Sequence, residues 1–219
     1  MDRPQPRPVM EGCLRELEWV NRLLGVRGLV LRYVRRFLRP EDRALTIADV
    51  ATGGADLPRA FARWGRRRGV TIRTVALDHH AVTAAIARDR STALPEIRVV
   101  RADARALPLA DESVDIAVLT STLHHLSPPD AVRALRELDR VSRRGFIVTD
   151  LVRSWPAYLG ARLLAFTLLR NPLTRVDGPL SVLRSYTLKE AQALVETAGL
   201  GEVRLTRHPF FRLAMVKGA

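Results

Sequence analysis

The residues with the most chemical capacity fall at a few recurrent places in the chain. The run Asp49-Val50-Ala51-Thr52-Gly53-Gly54-Ala55-Asp56 sets acids around small residues that let main-chain N–H groups approach a ligand at a helix N-terminus. Farther on come Asp78, then Asp103 with Ala104, then Thr120 followed by His124 and His125. An acid such as Asp78 can accept hydrogen bonds from both hydroxyls of a ribose, and Asp103 can take a donor such as an adenine amino group. Either His124 or His125 can remove a proton near neutral pH, with Asp150 as the acid that orients it. The plainer alternatives are that one histidine caps its loop by bonding main chain and that Asp150 caps the segment after it. Singly each piece is weak, because a Gly-rich turn is often only a turn and a surface Asp is usually solvated. In this order they describe an adenosine site beside a proton acceptor.

Such residues need a frame, and the apolar periodicity supplies one. Positions 1–8, rich in Pro and Arg without periodicity, read as a mobile tail. From Glu11 the residues Leu14, Leu17, Val20, Leu23 and Leu24 recur at helical spacing up to Gly25, and a second helical pattern, 26–38, stops at Pro40. Strands are expected at 44–51, 70–77, 97–101, 114–120 and 145–149, with helices after the first Gly turn, at 81–90 and at 128–141. Alternation of this kind implies a parallel sheet with helices on both faces, and 202–207 with 210–216 read as a closing antiparallel hairpin. Two helix starts carry chemical signatures, Ser127-Pro128-Pro129-Asp130 and the capping box Thr187-Leu188-Lys189-Glu190. Each acid or histidine of interest then lies at or just beyond the carboxyl end of a strand, where open parallel sheets bind ligands. The expected organisation is a tail and helical cap over 1–43 and a main domain over 44–219, with a helical insertion at about 151–186.

Composition narrows the classes. The chain has 219 residues, a net charge of +13 and 47% hydrophobic residues, which allows a sizeable core and excludes a disordered chain. Cys13 is the single cysteine, so neither an intrachain disulfide nor a multi-Cys zinc site is available, and a reducing cytoplasm is the expected location. The apolar stretch 155–169 is shorter than a bilayer span of about 20 residues and is interrupted by Arg162, so no stable membrane span is expected. Its apolar positions Leu159, Leu163, Phe166 and Leu169 are expected to pack into the core, with a lipid-binding lid as the alternative and peripheral membrane contact left open. Arg63, Arg66, Arg67, Arg68 and Arg73 read as a solvated face; without interleaved aromatics or an added module they do not favour a nucleic-acid partner.

Three stretches carry a family resemblance: IADVATGGADLP, VALDHH and VRADARALPLADESVDIAVLTSTLHHL. Together they resemble the class I S-adenosylmethionine-dependent methyltransferases, in the small-molecule branch that has a Leu-His-His run after the fourth strand. NRLLG and NPLTRVDGPLSVLRSYT extend the likeness to bacterial methyltransferases associated with type III polyketide synthases. The resemblance implies a Rossmann-like, seven-stranded, mostly parallel sheet with a C-terminal antiparallel hairpin. It implies S-adenosyl-L-methionine as cofactor, S-adenosyl-L-homocysteine as product, and no metal. Asp49 and Ala51, Thr52, Gly53, Gly54 and Asp56 would hold its methionine part, Asp78 the ribose, Asp103 with Ala104 the adenine edge, His79 would pack near the adenine, and Thr120 would line the sulfonium pocket. His124 or His125 with Asp150 would face the acceptor, roofed by Trp19, Asn21, Tyr158, Arg184 and Tyr186. The implied reaction is methyl transfer to a small hydrophobic hydroxylated acceptor, phenolic or polyketide-like, with O-methylation favoured. RNA methylation and a non-catalytic binding protein are the alternatives, and a homodimer is left open. Ala51 and Ala55 depart from the family's usual glycines, and alanine resists positive φ. A dinucleotide is disfavoured because Asp56 stands where a pyrophosphate-binding turn needs glycine.

Overall fold

The computed structural model describes residues 5–218. In chain order its strands are β1 (Ala44–Val50), β2 (Thr71–Asp78), β3 (Ile97–Arg101), β4 (Val114–Thr120), β5 (Ser142–Leu151), β6 (Arg204–His208) and β7 (Arg212–Lys217). They form one seven-stranded sheet in the order β3-β2-β1-β4-β5-β7-β6, parallel from β3 through β5 and antiparallel at β7. The helices are α1 (Arg7–Leu23), α2 (Val26–Phe37), α3 (Asp56–Arg66), α4 (Ala81–Ser91), α5 (Pro128–Val141), α6 (Trp155–Thr167), α7 (Pro172–Arg184) and α8 (Leu188–Ala198), with a 3₁₀ turn at Leu123–His125. The strand order reverses between β1 and β4, and a crevice at their carboxyl ends is the place such a sheet offers a ligand.

Central strands are buried on both faces, as parallel strands between helices must be. Leu45 and Ile47 of β1 face Val30, Phe37 and Phe61 of α2 and α3, while Ala48 and Val50 face Leu135, Leu138 and Leu194 of α5 and α8. The period-two alternation thus divides one strand between two cores. Both expected caps are present: Ser127 accepts from the Asp130 amide, and Thr187 and Glu190 cap each other reciprocally.

The N-terminal segment differs from the sequence expectation. Arg7 and Pro8 belong to α1, while positions 1–4 of the expected tail lie outside the described residues. Proline costs nothing in a first helical turn, where its missing N–H would have had no partner. Arg7 also pairs with Glu11 at 2.7 Å and with Asp89 at 2.5 Å, and Met10 is buried.

The insertion differs more. Leu169 is buried, but Leu159, Leu163 and Phe166 are 62%, 64% and 78% exposed, so the expectation that they join the core is wrong. The inward face of α6 is instead made by Ala157, Gly160, Ala161 and Leu164, whose small side chains let the helix lie close over the crevice. Glu16 on α1 accepts from the amides of Arg170 and Asn171 at 2.9 and 2.8 Å and from the Thr174 hydroxyl, tying α1 to the start of α7. No helix among the described residues is long and apolar enough to cross a membrane.

Gly145 shows what the antiparallel edge demands. Its φ is +126°, and a Cβ built there would lie 2.0 Å from the Lys217 carbonyl oxygen on the neighbouring strand. Gly145→Ala is therefore expected to lower unfolding stability by about 2–4 kcal/mol, through strain and separation of β5 from β7. Urea denaturation of the variant checks this; an unchanged midpoint would contradict the close approach.

Candidate functional site

At the end of β1 the backbone turns left-handed at Ala51, Gly53 and Ala55, with φ of 57°, 56° and 57°, before α3 begins at Asp56. Left-handed geometry costs an alanine roughly 1–2 kcal/mol, so the two departures from glycine are absorbed as strain without displacing the turn. Hydrogen bonds hold it: the Thr52 amide donates to the Leu77 carbonyl at 2.8 Å, and the Gly53 amide donates to Asp78 Oδ2 at 3.0 Å. The other Asp78 oxygen accepts from the His80 amide at 3.0 Å. A Cβ at Gly54 would meet the Arg90 guanidinium at 2.6 Å, so the turn is packed closely from outside.

Three acids surround this turn with little water. Asp49 is 2% exposed; burial pushes its carboxyl up to about 8, against the Thr52 hydroxyl that donates to it at 2.6 Å, and the charges of Asp56 and Asp78 add to the rise. Burial raises Asp56 and Asp78 as well. A group of carboxylates that burial disfavours in their charged form is suited to a cationic ligand, which would return the missing compensation.

The cavity at this turn has a volume of about 450 Å³. Its lining includes Asp49, Ala51, Thr52, Gly53, Gly54, Asp56, Asp78 and His79 on the turn side, Asn21 from α1, and Thr120, His124 and His125 at the far end. The first group fits S-adenosylmethionine in donor chemistry: carboxylates for a ribose diol and a cationic centre, and small residues for close approach.

Seven expected site residues, Asp150 among them, do not line the cavity. Asp103 is drawn into a fork with Arg105, at 3.0 Å from Nε and 2.6 Å from Nη2, which holds its carboxyl down at about 2; neither it nor Ala104 reaches the lining. Trp19 is 43% exposed on the outer side of α1, opposite the expectation, and Arg184 is exposed as well. Tyr158 packs against Trp155, ring centroids 6.0 Å apart, on the outer side of α6. Tyr186 donates to the Leu126 carbonyl at 2.8 Å, so its hydroxyl holds the loop after the 3₁₀ turn. The basic residues Arg63, Arg66, Arg67, Arg68 and Arg73 are exposed and contribute nothing to the lining.

At the far end, His124 is 5% exposed and its Nδ1 lies 2.6 Å from Asp150 Oδ1. Asp150 also accepts from the main-chain amides of His124 and Leu151, at 3.2 and 2.6 Å. Burial works against the Asp150 charge, but His124, the Leu151 amide and Arg212 outweigh it and keep its carboxyl below the usual range. With Nδ1–H directed at Asp150, neutral His124 keeps Nε2 as a proton acceptor. His125 lies beside it, ring centroids 4.2 Å apart, and also lines the cavity.

Arg212 was not anticipated. It is 4% exposed, lines the cavity, and donates from Nη1 to Ser121 Oγ at 3.0 Å. The antiparallel register sets it opposite Leu151, next to Asp150. The available signal was an arginine opening the otherwise apolar strand segment Leu213-Ala214-Met215-Val216. Phe210 and Phe211, both at positive φ in the hairpin tip, are further unanticipated lining residues.

Comparison with known proteins agrees with this geometry. Residues 48–149 match the family described as a methyltransferase domain. The chain is 36% identical over 96 residues to a 2-phytyl-1,4-naphtoquinone methyltransferase of Thermosynechococcus vestitus, covering 44% of this chain and 40% of that protein. It is 28% identical over 181 residues to a demethylmenaquinone methyltransferase of Bacillus licheniformis, covering 77% and 75%. The chain thus spans two-fifths of the length of the first relative and three-quarters of the second. Among solved structures, a SAM-dependent methyltransferase from Aquifex aeolicus superposes with a TM-score of 0.63 at 21% identity, over 93% of this chain and 95% of that one.

The raised Asp49 carboxyl has a consequence for the free protein. Its folded value of about 8 lies above the unfolded aspartate value of about 3.9, so its contribution to stability is full below pH 4 and is lost as pH rises through 8. Asp49→Asn is therefore expected to raise the melting temperature of the ligand-free protein at pH 5.5 and to raise it considerably more at pH 8.5. Scanning calorimetry at both pH values checks this; an equal shift at both would show that Asp49 is charged throughout.

Proposed function

Because this chain carries a class I S-adenosylmethionine-dependent methyltransferase domain, we propose that it methylates a small, hydrophobic, hydroxylated acceptor of phenolic type, on oxygen. The observation that carries the reading is the buried His124–Asp150 pair, of which His124 lines the same cavity as the acidic turn, under a roof of apolar residues. When bound, S-adenosylmethionine supplies an electrophilic methyl group on a sulfonium.

The chain's own residues would divide the work as follows. Asp78 accepts from the ribose hydroxyls, and Asp49 and Asp56 face the cationic part of the cofactor. Thr120 lines the place where cofactor and acceptor meet. His124 Nε2 takes the acceptor's hydroxyl proton, and Asp150 holds the ring in the tautomer that leaves Nε2 free to accept and stabilises the imidazolium that forms. Free phenols have a pKa of about 10, so a proton acceptor beside the hydroxyl helps it to act as a nucleophile at pH 7. Leu164, Val182 and Phe211 exclude water and match an apolar acceptor body. Holding donor and acceptor in line is worth about 7–11 kcal/mol in well-oriented pairs, so alignment and dryness account for most of what the protein must provide.

The reading is tested with S-adenosylmethionine and a panel of alkylated phenols and hydroquinones, with products identified by mass spectrometry and NMR. O-methyl products are expected; methyl groups on ring carbon would move the acceptor atom while keeping the base. His124→Ala is expected to lower kcat by about 10²–10⁴ while leaving S-adenosylhomocysteine affinity unchanged in calorimetry, and His125→Ala to lower it far less. Full turnover in His124→Ala would remove the base assignment.

A further inference from the structure

We propose that Arg212 is a binding site for an anionic oxygen of the acceptor, the guanidinium receiving a phenolate, enolate or carboxylate oxygen beside His124. The proposal rests on the cavity being the acceptor site. Arg212 is 4% exposed, yet among the described residues the single hydrogen bond of its guanidinium is the one to Ser121 Oγ. Its Nε is buried with no acceptor. A guanidinium has five N–H donors, and a buried one with so few acceptors is costly to maintain unless a ligand completes it. The neighbouring Asp150 charge favours the cation, but its oxygens are taken up by the His124 ring and by two main-chain amides, which leaves the guanidinium donors unmet. The cation therefore stands at the cavity wall, on β7 opposite Leu151, with unused donors and a hydroxyl partner from the end of β4. Planar bidentate donation to an anionic oxygen is the chemistry for which arginine is suited and lysine is not. In the reaction, the proton removed by His124 would leave negative charge on the acceptor oxygen, and Arg212 would stabilise that charge until an oxygen lone pair bonds the methyl carbon as its bond to the sulfonium sulfur breaks, the electron pair staying on sulfur in S-adenosylhomocysteine.

The test uses protein saturated with S-adenosylhomocysteine and two isosteric probes, 2-naphthoate and 2-naphthamide. Wild-type protein is expected to bind the anion about tenfold or more tightly than the amide. Arg212→Met should make the two affinities equal, and Arg212→Lys should keep only part of the preference, each with unchanged S-adenosylhomocysteine affinity. Equal binding of the two probes by wild type, binding of neither, or an anion preference that survives Arg212→Met would overturn the proposal. Should Arg212→Met fail to fold, an undiminished preference in Arg212→Lys overturns it equally. Failure of wild type to bind S-adenosylhomocysteine would instead remove the cofactor reading.

A second inference stands on a different face. The inner side of α6 lines the cavity, while its outer side exposes Trp155 (74%), Leu159, Leu163 and Phe166, which the helical repeat gathers on one face. Phe210 and Phe211 of the hairpin tip line the same cavity and are also exposed. A helix apolar on both sides is ordinarily covered on both, and we infer that an anionic lipid surface covers this one. The charge of the insertion selects that occupant: α6 contains no acid, Arg162, Arg170, Arg175 and Arg184 are exposed around it, and the chain carries +13 overall. A second copy of the chain would set one arginine-bearing face against another. Docking in this way would turn the apolar cavity mouth toward lipid, from which a hydrophobic acceptor can enter.

Co-sedimentation of the full chain with vesicles tests this. Binding to phosphatidylglycerol-containing vesicles is expected, with weak binding to pure phosphatidylcholine. The variant Leu159→Ser/Leu163→Ser/Phe166→Ser should bind the anionic vesicles about tenfold or more weakly while keeping S-adenosylhomocysteine affinity. Absence of binding to anionic vesicles, equal binding to both lipids, or undiminished binding by the triple variant would overturn the inference. So would a wild-type dimer in sedimentation velocity that the same substitutions dissolve, since a second copy would then be the occupant.

Discussion

A cluster of buried carboxyls at the end of β1, whose charged forms burial disfavours, is the constraint around which this structure is arranged. Asp49, Asp56 and Asp78 converge on a turn that burial keeps dry, and all three carboxyls rise because their charged forms lack water. The fold tolerates this only because the surrounding frame is strong: β1 lies between β2 and β4, is buried on both faces, and carries the acids at its rim. Strain adds to it, since Ala51 and Ala55 occupy left-handed backbone where glycine would be relaxed. Stability is given up locally for a site poised toward a cation, as functional sites commonly require.

The opposite end of the cavity is built on the reverse electrostatic plan. There Asp150 is kept charged, because His124, main-chain amides and Arg212 supply what burial removes. Two carboxylates of similar burial thus behave differently, Asp49 among like charges and Asp150 among donors. The contrast separates a region that receives positive charge from one that holds a histidine oriented and can accept a proton.

The roof links these regions to the outside. Glu16 and Asn171 fasten α1 to α7, so the helices over the crevice are held by polar bonds at their ends and by apolar contact along their inner faces. That arrangement leaves the outer face of α6 exposed among the described residues. Periodicity alone could not show it, because a helix with apolar residues on all sides gives no indication of which side meets the core.

Element order, the five parallel strands, the closing hairpin and the positions of Asp49, Asp78, His124 and Asp150 at strand ends were legible in the sequence. These follow from local causes: apolar period, capping residues, and acids or small residues where a strand gives way to a turn. Local reasoning failed where a nearer or more distant partner intervened. Asp103 was lost to Arg105 two residues away, Tyr186 to the Leu126 carbonyl, and Trp19 to the outward turn of its helix. Asp150 was expected to orient one of His124 and His125; the tertiary structure set it on His124 and brought Arg212 beside the pair, because Arg212 arrives on β7, which inserts antiparallel against β5. The chain specifies its strands through neighbours in sequence, whereas a site that draws on several strand ends is specified by strand order, and strand order is settled by how all the faces are buried together.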